Sequence, residues 1–442
     1  PETITIGCSG WLGRFLDGAE PSPNLHCCDA VYDSLFLFNP NTAEPYSFIL
    51  DSWGYTDDVT FVMTLKDGIT FTNGDVATGE DLLFSVQQHF IRNTINTGSL
   101  GTLDINASSF EGNTVTLKYS EPYGPGIMSR NMYLFDKSWC EEKGWDSQDW
   151  YSNPNGSGPY KVTEYVTDDH ITIELKDNYW NAANEEFAVK KWICKYFADS
   201  STMYMALEKG EISMCSISST DYDRLVSDPN PNIATRVKGM GGNLTMMIGM
   251  ENNPIFQDIN VRKAIAYGVE WDTIGTILYG VKYAPAKACL ADTSPYYVEQ
   301  GIYEYNPDLA RQVLADAGYK EGDLKIHIYA MSTGAKAGYE ALQYYLNDIG
   351  IECEIEWGDV TSVLQIWMSP GGSDLGFYNN INGIPNSEPH ESLSLFYTPG
   401  FTWCWSSDET ARELFTKAAH TIDEAERAKY YGEVQKYVYD NY

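Results

Sequence analysis

Residues Val59–Val86 read VTFVMTLKDGITFTNGDVATGEDLLFSV. Val59, Phe61, Met63 and Leu65 alternate with Thr60, Val62, Thr64 and Lys66, which is the period of a strand with one face buried. Asp67-Gly68 predicts a tight turn, Ile69 and Phe71 resume the alternation as a hairpin return, and Asn73-Gly74 turns the chain again. Thr78 stands three residues before Asp81, the spacing of a capping box, and Leu82, Val86 and Phe90 follow at helical intervals. A strand, a hairpin and a capped helix therefore succeed one another, each with its own stop signal.

Around this stretch the chain runs to 442 residues, too many for one ordinary core, so two or three domains are expected. The balance of 62 acidic against 29 basic residues, net −33, sets up a field that repels a phosphate backbone and argues against nucleic acid as a partner. No run approaches the roughly 18 apolar residues of a membrane helix. The nine cysteines form no Cys-x-x-Cys pair and their number is odd, so they read as mostly free thiols rather than a disulfide framework.

In chain order, Thr3–Ile6 predicts a first strand leading into the loop Gly7-Cys8-Ser9-Gly10-Trp11, and Asp29–Phe38 predicts a helix. A polar connection over Asn93–Asn113 precedes a strand at Thr114–Tyr119. The Gly-rich segment Asn155-Gly156-Ser157-Gly158-Pro159 sets a phosphate cradle against a turn. The Lys-Ser/Thr ending of a P-loop is absent and Pro159 removes a backbone donor, so a turn is expected. A strand at Ile171, Ile173 and Leu175 and a helix at Ser201–Lys209 follow. Leu244–Met250 is an extended apolar run, and a helix starts near Asn260. Arg262 reads either as an anion ligand or, at a helix start flanked by acids, as a structural ion-pairing residue. Beyond it, helix and strand alternate. Asn306-Pro307 caps a helix stopped by Gly318, and Leu324, Ile326 and Ile328 form a strand. Ala335–Ile349 forms a helix, Ile351–Trp357 a strand, and Asp408–Ala419 and Asp423–Tyr439 two late helices. Short links between such elements define an α/β lobe.

The opening stretch resembles the extracytoplasmic solute-binding proteins of peptide and nickel ABC importers. Thr60-Phe61, Leu65, Gly68-Ile69, Phe71, Asn73-Gly74, Thr78, Glu80-Asp81 and Phe84-Ser85 match that family's shared pattern in order. Further matches lie at Gly156-Ser157-Gly158-Pro159-Tyr160-Lys161, Tyr179-Trp180, Val261-Arg262-Lys263-Ala264 and Tyr305-Asn306-Pro307, so the resemblance covers nearly the whole chain. It implies a two-lobed α/β periplasmic-binding-protein fold of class II type with the ligand cleft between lobes. The expected first lobe is 1–247, carrying an inserted subdomain at about 36–155, and the second lobe is 248–442. The resemblance implies a closing segment that returns to the first lobe past this point; this sequence stops at Tyr442, so that segment is expected to be either removed or unusual. The resemblance also implies an export signal ahead of Pro1, a lipid anchor outside the cytoplasm, a monomeric state, and a permease and ATPase complex as partners. The run from Leu244 is the expected hinge.

No catalytic constellation is present in the sequence: Gly-x-Ser-x-Gly and His-Glu-x-x-His are both absent, and the six His show no helical pair at metal-ligand spacing. His26-Cys27-Cys28 is an incomplete soft-metal set. Neither a catalytic residue, a cofactor nor a metal is expected, and the chain reads as a binder, with an extracellular hydrolase or a non-transport sensory protein as readings from other classes. By family analogy the ligand is expected to meet Ser9 and Trp11 after the first strand and Met240, Gly241 and Gly242 ahead of the hinge run. On the second lobe it is expected to meet Tyr378, Asn379, Asn380, Asn382, Glu388, Trp403 and Trp405. Peptide-binding relatives place an Asp on this lobe against the peptide's α-amine. Here Asn379, Asn380, Ile381 and Asn382 hold the candidate positions. A neutral amide orients a hydroxyl or carbonyl but does not neutralise a buried ammonium. The ligand class therefore stands open between a small peptide, read by Glu388 from a shifted loop, and a sugar-like or other polar solute.

Overall fold

A computed structural model describes residues 2–8, 25–39, 42, 44–91, 101–126, 132–144, 147, 150, 152–217, 219–235, 243–279, 284–331, 335–367, 369, 372–380, 389–390, 393, 397 and 406–442. Contacts divide the chain into two compact units, residues 1–39 with 44–237, and residues 40–43 with 238–442.

Unit 1 contains strands β1 (Thr3–Cys8), β2 (Leu37–Phe38), β3 (Pro45–Tyr46), β4 (Leu50–Asp57), β5 (Thr60–Leu65), β6 (Leu103–Glu111), β7 (Thr114–Tyr119), β8 (Tyr160–Val166), β9 (His170–Leu175), β10 (Lys191–Tyr196) and β11 (Met214–Cys215). Five of them form a sheet in the order β11-β1-β10-β9-β8, in which β1 runs parallel to β10 and β11. Four more form a separate antiparallel sheet in the order β4-β5-β7-β6.

The stretch that opens the sequence reading lies in this second sheet. Phe61, Met63 and Leu65 are buried along one face of β5, as their alternation requires. Thr78 N–H and Oγ1 both donate to Asp81 Oδ2, at 2.9 and 2.8 Å, the carboxylate half of a capping box at the start of the helix Gly79–Ile91. The hairpin return does not form. β5 pairs with β4 and β7, while 69–77 closes on itself through Phe71 N to Asp75 O and Ala77 N to Ile69 O, with one isolated bridge between Thr70 and Val76.

The helix expected over Asp29–Phe38 is shorter and earlier, at Leu25–Val31. Residues 31–35 spend their backbone groups on distant segments instead. Gly158 N donates to Val31 O at 2.9 Å, Leu134 N to Asp33 O at 3.0 Å and Leu35 N to Met132 O at 2.6 Å. The polar connection expected over Asn93–Asn113 contains β6, an edge strand whose mostly exposed residues carry no apolar alternation.

The Gly-rich segment is a junction, as a turn reading anticipates, and its glycines are required by contact. A Cβ at Gly156 would stand 1.9 Å from Val31 O, and one at Gly158 2.8 Å from Ala30 O. The Gly156 carbonyl accepts from Thr72 N (3.1 Å), Thr72 Oγ1 (3.0 Å) and Lys176 Nζ (3.1 Å). Beside it, Asp33 N donates to Ser157 Oγ and Asp33 Oδ2 accepts from Trp180 Nε1 at 3.0 Å. Burial raises the Asp33 carboxyl, and burial lowers the Lys176 ammonium to about 8 against the attraction of Asp33. The adjacent thiols Cys27 and Cys28 belong to this core with Cys140 and Cys194, and Cys27 Sγ lies 3.1 Å from Cys194 Sγ. Among the described residues the cysteines form no disulfide and no metal-holding cluster of His, Cys, Asp or Glu occurs.

Unit 2 contains β12 (Asn243–Ile248), β13 (Leu324–Met331), β14 (Ile351–Gly358) and β15 (Leu375–Asn380). β13 and β14 pair in parallel, and β12 and β15 form an antiparallel ribbon. The helices Ile259–Gly268, Trp271–Tyr279, Pro307–Asp316 and Lys336–Asp348 surround them, burying Val261, Ile265, Leu314, Leu342 and Leu346 with Ile326 and Ile328 in one core. The predicted caps are present: Asn306 Oδ1 accepts from Leu309 N, and Gly318 and Gly350 take the left-handed conformation that ends their helices. Helices Glu409–Ala419 and Glu424–Asp440 pack through a smaller cluster that includes Phe415, Tyr431 and Val434. No described helix is long and apolar enough to cross a membrane.

Three outcomes follow for unit 1. Gly156→Ala forces its Cβ into a carbonyl that helix Leu25–Val31 holds in place, and costs about 3 kcal/mol or more in urea unfolding. Gly68→Ala, with φ of 79° and no atom within 4 Å of its Cβ, costs about 1–2 kcal/mol. Lys176 has a folded value of about 8 below its ordinary 10.5, so the folded state releases this proton first as pH rises. The penalty of holding it charged is full below pH 8 and fades between pH 8 and 10.5, on the order of 3 kcal/mol. Wild type should therefore gain stability over Lys176→Met by that order between pH 7.5 and 10.5; a constant difference across this window contradicts it.

Candidate ligand-binding site

The strand pair that carries the sequence-predicted site in unit 2 is the β12–β15 ribbon. Its register sets Leu375 opposite Ile248, Phe377 opposite Met246, and Tyr378, Asn379 and Asn380 opposite Thr245, Leu244 and Asn243. Leu375 is buried and Phe377 packs against the same core, which commits the start of β15 to the interior.

The approach to β15 is held by two buried polar residues, Ser373 and Asp374. Asp374 Oδ2 accepts from His327 N at 2.8 Å and from Asn253 Nδ2 at 2.9 Å. Its backbone N donates to His327 O, and its carbonyl accepts from Gly249 N. Ser373 Oγ accepts from Tyr329 N at 3.0 Å and donates to Leu375 O at 2.6 Å, while Ser373 O accepts from Asn252 Nδ2. These bonds join the end of β12, the middle of β13 and the start of β15. A Cβ at Gly249 would stand 2.9 Å from Ser373 O, so this approach too depends on glycine. Further along, Phe377 N donates to Tyr339 Oη at 2.9 Å, and the two rings lie 4.6 Å apart. Burial pushes the Tyr339 hydroxyl well above its ordinary pKa, so it stays a neutral acceptor.

Of the sequence-predicted site residues, Tyr378, Asn379 and Asn380 have a described backbone, in β15. Ser9, Trp11, Met240, Gly241, Gly242, Asn382, Glu388, Trp403 and Trp405 lie outside the described residues. The residues that position β15, namely Ser373, Asp374, Asn253 and Tyr339, escape sequence reasoning. The available signal was a Ser-Asp pair directly ahead of an apolar strand, which by itself reads as an ordinary turn.

The mixture of helices and strands in both units is shared with two-lobed periplasmic binding proteins. The chain superposes on the ABC transporter-associated periplasmic binding protein DppA from Helicobacter pylori, solved in complex with peptide STSA, with a TM-score of 0.82 and 19% identity over 99% of this chain and 90% of that one. Residues 44–402 match the model of the bacterial extracellular solute-binding proteins, family 5, and the chain belongs to that family. Its members are extracytoplasmic transport proteins and not a family of enzymes. The dipeptide-binding protein of Escherichia coli is 22% identical over 454 aligned residues, covering 93% of this chain and 82% of that protein. A Brucella ovis protein named for ABC-transporter peptide binding is 28% identical over 251 residues, 56% of this chain and 46% of that protein. In that match the chain spans about half the relative's length.

Replacing Asp374 by Ala leaves His327 N and Asn253 Nδ2 without their acceptor in a buried position. The expected loss is about 2–3 kcal/mol in chemical unfolding, with faster amide exchange along β15 than along β14. Equal protection of both strands in the variant would show that Asp374 does not hold the ribbon.

Proposed function

We propose that this chain is the solute-capturing component of an ABC importer, taking a small peptide or another polar solute between two lobes and delivering it to a membrane permease and its ATPase. The observation that carries this reading is the family match over residues 44–402, four-fifths of the chain. The peptide-binding names of the relatives and of the H. pylori neighbour support peptide as the first class to test. The comparisons lend no support to a saccharide. Capture and lobe closure need no chemistry, and the sequence offers no nucleophile–base or metal constellation to supply any.

In this reading the lobes are 1–247, with the inserted subdomain at about 36–155, and 248–442. The protein works as a monomer outside the cytoplasm, held to the membrane by a lipid anchor. The ligand meets Ser9, Trp11 and Met240–Gly242 on one side, and Tyr378, Asn379, Asn380, Asn382, Glu388, Trp403 and Trp405 on the other. Two tryptophans at alternate positions share a face when the segment is extended, which makes a stacking surface. Asn at the positions where relatives carry Asp leaves Glu388 as the acid that reads an α-amine.

A thermal-shift screen against di- to pentapeptides, oligosaccharides and amine or metal-chelate solutes tests this directly, because a ligand of the folded state raises the midpoint by mass action. A peptide is the expected hit. Glu388→Gln should then weaken free peptides at least tenfold (about 1.4 kcal/mol) and leave N-acetylated analogues unchanged, whereas an equal loss for both removes Glu388 from the amine site. Trp403→Ala and Trp405→Ala should each weaken binding with the fold intact, and unchanged affinity in both removes them from the cleft.

A further inference from the structure

The core of unit 1 brings together Cys27 of helix Leu25–Val31, Cys194 of β10 and Cys8 of β1. Cys27 and Cys194 are 3% and 2% exposed, and their sulfurs stand 3.1 Å apart although 167 positions separate them in the chain. That is closer than the roughly 3.5–4.0 Å at which carbon atoms pack, and sulfur is the larger atom. A bond between the two sulfurs has a length of about 2.0 Å, so forming it asks for a further approach of about 1 Å.

Cys194 has a second sulfur neighbour in Cys8, and its hydrogen bond together with burial holds the Cys8 thiol above its ordinary pKa. The sheet register sets Cys8 apart from a bridge. Ile6 stands opposite Cys194 and Cys8 opposite Tyr196, which makes Cys8 a diagonal neighbour of Cys194. Diagonal neighbours in a sheet lie roughly 7–8 Å apart, beyond the about 4.4–6.8 Å that a disulfide usually spans between Cα atoms. Cys27 approaches from a helix and is free of that restriction. Cys28 follows Cys27 by one helical step, about 100° around the axis, so the two do not address the same sulfur. Among the described residues no group of His, Cys, Asp or Glu is placed to hold a metal ion, which leaves the pair's own redox chemistry.

We propose that Cys27 and Cys194 are an oxidation site and that the native protein carries a disulfide between them. The oxidant is a small disulfide or that of a thiol oxidoreductase, chemistry available outside the cytoplasm, where the family's members work. One protein thiolate attacks a sulfur of the oxidant and expels a thiolate; the second protein thiolate then attacks the mixed disulfide and expels the other. Two protein thiols and one oxidant disulfide thus become one protein disulfide and two oxidant thiols, with two electrons passing to the oxidant. The exchange takes place while the chain folds. In the closed core the Cys27 thiol and burial hold Cys194 above its ordinary pKa, and buried neutral thiols are inert. The same burial shields the finished bridge. Closing so long a loop removes more freedom from the unfolded chain than closing a short one. The bridge depends on the family's location and not on which solute is carried.

Refolding the whole chain, unfolded and reduced in urea, in a buffer of reduced and oxidised glutathione tests the proposal. Free thiols are then alkylated and the peptides mapped by mass spectrometry without reductant. A bridge joining the Cys27 and Cys194 peptides is expected, so that these two of the nine cysteines escape alkylation. Cys28→Ala removes the neighbouring thiol from the same peptide and should leave the bridge in place. The oxidised protein should unfold at a urea midpoint about 1 M above the reduced protein, and Cys27→Ala should abolish that difference. Should Cys27→Ala misfold, the map and the oxidised-against-reduced comparison of the wild type decide alone. A map without this bridge, its loss in folded Cys28→Ala, or an oxidised midpoint no higher than the reduced one would each overturn the proposal. The thermal-shift screen reads solute binding separately, and either result can fail without the other.

Discussion

The architecture of unit 1 depends on one backbone approach, that of Gly156 and Gly158 to the carbonyls that end helix Leu25–Val31. At this distance no side chain fits, and the contact brings four stretches of chain together: the helix end, the turn at Thr72, the strand leaving Pro159 and the segment around Phe135. One carbonyl, that of Gly156, accepts three donors, two from Thr72 and one from Lys176. The buried Asp33 and Lys176 sit beside this point, and their hydrogen bonds to Trp180, Ser157 and Gly156 offset part of the desolvation that burying two charges costs. The glycines are thus explained by packing, and no phosphate is needed to account for them.

Unit 2 repeats the device in another form. Gly249 lets two chain segments approach, and the buried Ser373-Asp374 pair satisfies the backbone groups that this approach strands. A two-stranded ribbon has little stability alone. The ribbon of β12 and β15 is held by polar bonds at one end and by the Tyr339 hydroxyl on Phe377 N further along. That support matters for function, because Tyr378, Asn379 and Asn380 continue directly from the anchored part of β15. A binding residue is only as well placed as the backbone that carries it.

The strong negative charge and the binding-protein scaffold are consistent with each other. A net charge of −33 keeps the chain soluble and away from anionic polymers without specifying a cargo. The matched family pattern likewise describes scaffold: its residues in β5 and in the helix Gly79–Ile91 are core and cap positions. Family membership and ligand identity are therefore separate matters in this chain, resting on different residues.

Much of the fold was legible in the sequence where the signal is local. The alternation in β5, β9 and β13, the capping box at Thr78, the Asn306-Pro307 start and the Gly318 and Gly350 stops all depend on residues within a few positions of one another, and each element formed. The sequence also determined the family, through motifs spread along the chain, and the absence of recognisable catalytic motifs. Tertiary structure alone decided the rest. Asp29–Phe38 has helical spacing, yet its backbone bonds go to Gly158 and to residues near Met132, more than 90 positions away. β6 pairs with β7 despite its polar composition, because an edge strand is set by its neighbour's free hydrogen-bonding groups and not by an apolar face of its own. Asp374 and Arg262 gain their partners from amides and carbonyls supplied by other elements. Local pattern selects secondary structure because its energetics are local; the partner of a buried polar group is chosen only when distant segments meet.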